Sequence, residues 1–189
     1  MFTVRIVIFT LFWWPLTVLS DDLPALPQSF SQAKKVAKQI YTDYPITFYC
    51  RCDFSEDLQV DFNSCDYHPR RNEKRARRVE WEHIVPAWAF GHDRPCWQEY
   101  LCTRQDGSSF KGRSCCSRID DEFKQMEGDL RNLVPAIGEV NGDRSNFAFA
   151  DFDGVPDQYG ACTFVTNFQD KLAQPPLYTR GFIARVYQR

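Results

Sequence analysis

The chain has 189 residues, 43% of them hydrophobic and 15% aromatic, which is enough for one packed domain and too much for a disordered or low-complexity protein. Its 11 prolines and 9 glycines are spread over the whole length and exclude a coiled coil. A formal net charge of −2 excludes a uniformly basic nucleic-acid binder but leaves room for a local basic patch.

Residues 1–20, MFTVRIVIFTLFWWPLTVLS, place Arg5 ahead of an apolar run over 6–19. That run is too short to span a bilayer comfortably, and Val18 and Ser20 are small enough for a cleavage site. A secretory signal peptide is expected over 1–20, leaving a mature chain 21–189 without a membrane segment. Eight cysteines stand at 50, 52, 65, 96, 102, 115, 116 and 162. An even number behind a signal peptide points to disulfides in an oxidising compartment, periplasmic or secreted. No C-x-x-C pair supports structural zinc. The adjacent Cys115 and Cys116 are not expected to bond to each other, and the sequence alone leaves the pairing open.

Phe30, Ala33, Ala37, Ile40 and Tyr44 recur at helical spacing, so a helix is predicted over 30–44, capped by Ser29 or Ser31 and stopped by Pro45. Residues 46–65 read as strands and turns. Residues 70–78, RRNEKRARR, hold six basic residues and one acid and are expected to form a phosphate-binding surface. The alternation in 79–86, VEWEHIVP, predicts a strand ending near Pro86. Residues 91–118 look like loop, 120–130 helical, 132–136 a short strand, 138–149 the start of a helix, 151–160 an acidic turn, and a final helix is predicted from Thr179. No linker divides the chain.

The chemistry is concentrated at Glu82 and His83. A carboxylate that binds a hard divalent cation, beside an imidazole that can take a proton from water, is the minimal equipment for phosphodiester hydrolysis. On the residues alone, a core histidine salt-bridged to Glu80 or Glu82 is the favoured reading.

Residues 75–92, RARRVEWEHIVPAWAFGH, and 126–135, MEGDLRNLVP, running on into 138–147, GEVNGDRSNF, resemble the bacterial periplasmic and secreted endonuclease I family. Weaker matches extend the likeness over nearly all of residues 29–189. The resemblance implies a mixed α+β domain with a ββα-metal (His-Me finger) core, stapled by disulfides. It also implies cutting of DNA, and often RNA, with little sequence preference and 5′-phosphate products. One divalent cation, usually magnesium, would be the cofactor. By position, His83 matches the general base, Glu82 and Asn141 the metal ligands, and Arg113 the arginine on the scissile phosphate. Glu127 matches an acidic residue close to the site that orients His83 or acts from an outer shell. Lys74, Arg75, Arg78 and Arg144 are expected phosphate contacts, and a monomer is expected.

The chain ends at Arg189, earlier than typical members, so the nuclease domain over 21–189 reads as shortened at its C-terminus. Residues 99–114 form a longer connection containing Cys102, and Cys115–Cys116 doubles what is normally one cysteine. The competing reading is a catalytically inactive nucleic-acid-binding protein on the same fold. A small disulfide-rich interaction protein would leave the basic run and the Glu–His pair unexplained.

Overall fold

Ser29 accepts a hydrogen bond from the Gln32 N–H and opens α1 (Phe30–Ile40), which buries Ala33 and Ala37 and turns its lysines to solvent. In the computed structural model, which describes residues 26–153 and 158–188, α1 ends at Tyr41, several residues before Pro45. The expected signal peptide lies outside the described residues. Residues 46–65 form no continuous strand: isolated bridges, such as Ile46 with Asp53 and Phe54 with Val60, and a single 3₁₀ turn fold this segment.

Asn72 caps the short α2 (Glu73–Ala76), and β1 (Val79–His83) follows. Then come α3 (Ala87–Gly91), α4 (Pro95–Gln98), the small hairpin β2 (Cys102–Thr103) and β3 (Ser109–Phe110), and α5 (Arg113–Ile119). The region expected to be loop thus holds two helices and a hairpin. Its loop-like composition conceals α5 because that helix is short and covalently held. Gly112 enters it with φ of 89°, a left-handed conformation open to glycine.

Asp120 caps α6 (Asp121–Glu127) by accepting from the Phe123 N–H. The fully buried β4 (Leu133–Ile137) pairs antiparallel with β1, Glu82 facing Val134 and His83 facing Leu133. Directly after β4 comes α7 (Gly138–Arg144), which packs back onto both strands. The chain finishes with β5 (Ala148–Phe149), β6 (Val165–Asn167), β7 (Leu172–Gln174), arranged in the order β5-β7-β6, and α8 (Leu177–Tyr187).

The main core gathers Tyr49, Tyr67, Tyr159 and Phe164 with Val134, Ile137 and Val140. A second cluster surrounds Phe123 and four cysteines, and a third seats Trp81 and Leu133 under Ala33 and Ala37 of α1. All eight cysteines are paired: Cys50–Cys162, Cys52–Cys65, Cys96–Cys116 and Cys102–Cys115. The extra cysteines of the 99–116 region therefore bond within that region, and the vicinal pair takes two separate partners. Among the described residues, no helix is long and apolar enough to cross a membrane.

Candidate active site

Strand alternation sends Glu80 and Glu82 to the face of β1 that meets α7, and Trp81 and His83 to the face that meets α1. His83 is 5% exposed, its ring 4.9 Å from Phe30 and 6.3 Å from Phe90. Its Nε2 lies 2.8 Å from the carbonyl oxygen of Glu127. A carbonyl only accepts, so Nε2 carries the proton and Nδ1 presents the lone pair of the neutral ring. Burial pushes the imidazole pKa down to about 4, and Arg113 and Arg144 work in the same direction against the Glu127 carbonyl. His83 is therefore a neutral imidazole of defined tautomer near pH 7, able to accept a proton.

Glu82 is 3% exposed. Its Oε1 accepts from the Tyr49 hydroxyl at 3.0 Å and lies 3.1 Å from Nη1 of Arg144. None of the described hydrogen bonds ends on Oε2. Burial raises this carboxyl to about 7, opposed by the Arg144 charge and the Tyr49 hydroxyl.

Asn141 hangs on Glu80: its Nδ2 donates to Oε2 of Glu80 at 2.9 Å. A carboxylate accepts only, so the amide is turned with Oδ1 away from Glu80. Glu80 also takes a bidentate pair from Arg75, at 2.9 and 2.6 Å, and two contacts from Arg78. These guanidinium groups outweigh burial and hold Glu80 below the usual carboxylate range.

The Glu82 carboxylate oxygen without a described hydrogen bond and the Asn141 amide oxygen are each hard donors, one from β1 and one from α7. That fits magnesium, which keeps several of its waters and binds through few protein oxygens. Among the described residues, no three His, Cys, Asp or Glu side chains converge on a metal site, so the fit rests on Glu82 and Asn141.

Arg113, at the first position of α5, donates through Nε to Oε1 of Glu127 at 2.6 Å, while Ser117 donates to Oε2 at 2.8 Å. Glu127 is buried and Arg113 is 44% exposed, so the anchored end lies inside and the free guanidinium edge faces out. Arg113, Glu127 and His83 form one linked group, and Glu82 joins it through Arg144, whose Nη1 also donates to the His83 carbonyl at 2.9 Å. No described contact joins Asn141 directly to Glu82. A cleft of about 1000 Å³ opens over this region, lined by Phe30, Trp88, Arg75, Arg113 and Asn141 among others. Glu82 and His83 do not line it themselves. Phe30, which does, covers the His83 ring.

The expected phosphate contacts separate. Lys74 is exposed, whereas Arg75 and Arg78 are committed to Glu80. Arg144 is corrected outright. It is fully buried, with Nη1 and Nη2 on the carbonyls of His83 and Ile84, so it holds the β1 end from within and offers no surface to a phosphate. Glu80, Tyr49 and Arg144 as internal supports escaped the sequence reading. Of these only Glu80 left a signal, since it shares the parity of Glu82 along the strand.

Residues 28–188 match the family model described as Endonuclease I. An extracellular deoxyribonuclease of Aeromonas hydrophila is 47% identical, over 88% of this chain and 70% of its own length. A periplasmic deoxyribonuclease of the same organism is 45% identical, over 85% of this chain and 64% of its own. An Endonuclease-1 of Buchnera aphidicola subsp. Baizongia pistaciae is 42% identical, over 85% of this chain and 62% of its own. The chain thus spans between 62% and 70% of the length of these relatives.

Proposed function

Because the chain belongs to the endonuclease I family, we propose that it is a periplasmic or secreted endonuclease that hydrolyses DNA, and RNA as a second substrate, at internal phosphodiester bonds. In this reading β1, β4 and α7 are the ββα-metal core of a monomeric enzyme with little base preference. The observation that carries it is the hydrogen bond from His83 Nε2–H to the Glu127 carbonyl, which leaves Nδ1 as a free base one residue from Glu82.

Nδ1 of His83 takes a proton from water, and the oxygen attacks phosphorus in line. Arg113, steadied by Glu127, holds a non-bridging phosphate oxygen and the charge that builds there. Glu82 and Asn141 would hold a magnesium ion, which would supply positive charge to the phosphate and to the departing 3′ oxygen. Arg144 and Tyr49 hold the Glu82 carboxylate in place. Loss of the 3′ oxygen leaves 5′-phosphate ends.

The test is plasmid cleavage by the oxidised protein with magnesium, with EDTA, and by His83→Ala. Nicking and linearisation that need both the metal and His83 are expected. A folded protein that retards DNA without cutting it would establish the inactive binding protein instead.

A further inference from the structure

The positive charge of residues 70–78 is largely consumed within the fold. Arg70 pairs with Asp143, Arg75 and Arg78 with Glu80, and Arg77 with Glu73. The stretch that looks in the sequence like the phosphate surface is therefore met by counter-charges from Glu73, β1 and α7.

The opposite holds on α1. Its sequence FSQAKKVAKQI has three lysines and no acid. Lys34, Lys35 and Lys38 are exposed, none forms a described ion pair, and Lys34 only rests its Nζ 4.8 Å over the Phe30 ring. The spacing 34, 35, 38 puts all three on one side of the helix, and all three line the same cleft as Arg113 and Asn141. Three uncompensated ammonium groups on a rigid helix, beside the groups that would act on a phosphodiester, match a chain of backbone phosphates. They do not match a neutral ligand.

We propose that α1 is a wall of a polynucleotide-binding cleft, with Lys34, Lys35 and Lys38 contacting backbone phosphates of the strand presented to Arg113 and Asn141. The inference rests on the nuclease reading and adds to it which element holds the substrate. The lysines carry no base information, so they contribute affinity and positioning rather than sequence choice.

The test uses the full oxidised chain carrying His83→Ala, so that DNA survives. Binding of a labelled duplex is followed by anisotropy at rising salt, with and without Lys34→Ala, Lys35→Ala and Lys38→Ala together. Removing the three lysines should weaken binding about tenfold or more and flatten the slope of log K against log salt by roughly 2–3. In the His83-containing protein the same changes should raise KM and leave kcat within about threefold. The side chains are exposed, so the melting temperature and near-ultraviolet circular dichroism should not move. Unchanged affinity and slope in a variant whose parent binds DNA would overturn the α1 wall alone. So would a parallel titration with phosphatidylglycerol vesicles in which the triple variant loses vesicle binding but keeps its affinity for DNA. A parent that binds no DNA would remove the nuclease reading with it.

Discussion

Glu127 serves the candidate site through two kinds of atom, and substitution can separate them. Its backbone carbonyl holds His83 and survives any side-chain change, whereas its carboxylate holds Arg113 and Ser117. Glu127→Gln should therefore leave the histidine tautomer intact but loosen Arg113. We expect kcat to fall by about 10–100-fold with KM little changed, in a protein that melts within a few degrees of the parent. Arg144 is the contrasting case. Arg144→Met leaves Glu82 buried without its counter-charge, and denaturant unfolding should show a loss of about 3–5 kcal/mol. His83, Glu82 and Arg113 are singled out by the motifs that carry the family resemblance, and the structure links them through Glu127 and Arg144. The inward course of Arg144 could not be read in this way, because a basic residue in the last turn of a short helix is ordinarily solvated and nothing local signals the two carbonyls it meets.

Among the elements, α7 connects most of the parts. Glu139 accepts from the N–H groups of Arg70, Arg71 and Asn72 and from the Tyr67 hydroxyl; Asn141 reaches Glu80; Asp143 takes Arg70 and Tyr159; and Arg144 takes Glu82. Its glycines permit that close approach. A Cβ on Gly138 would sit 2.4 Å from the Arg75 carbonyl, a backbone atom, so Gly138→Ala should lower the melting temperature clearly. A Cβ on Gly142 would first meet the Arg75 guanidinium, the far end of a side chain that can move away. Gly142→Ala should cost little stability but part Arg75 from Glu80, and comparing melting with cleavage rate checks the difference. At α6, partial burial opposes ionisation of Asp120, but the Phe123 N–H and Arg94 outweigh it and hold the carboxyl below its ordinary range. A depressed carboxyl lends stability above its unfolded pKa and loses it as pH falls through the folded one. Acid titration of unfolding should therefore show Asp120→Asn losing stability relative to the parent at neutral pH, with the gap closing below about pH 4. The strand–strand–helix succession of β1, β4 and α7 was legible from alternation, an apolar run and a glycine start. Segment 46–65 was not, because its order comes from disulfides and isolated bridges rather than from a repeating pattern.

Over the whole molecule, the four disulfides do different work. Cys96–Cys116 and Cys102–Cys115 both fasten α5, the helix that begins with Arg113. Cys102→Ser with Cys115→Ser should therefore impair cleavage beyond what its stability loss explains, as activity measured well below the melting temperature would show. Cys50–Cys162 closes a span of 112 residues and holds the segment before β1 to the segment after α7. Replacing that pair by serine should destabilise the fold by about 2–5 kcal/mol, read by denaturant unfolding. The same bridge also sets an order of events in time. At roughly 5–20 residues per second, Cys162 leaves the ribosome on the order of 10 s after Cys50. Throughout that interval Cys50 has Cys52 and Cys65 as nearer neighbours in the chain. The native partner of Cys52 is already made, so early closure of Cys52–Cys65 leaves Cys50 as the single waiting thiol of its region. Closed early, the shorter bridge would take Cys52 and Cys65 out of competition for Cys50 and so guard the bond that ties the segment before β1 to the segment after α7.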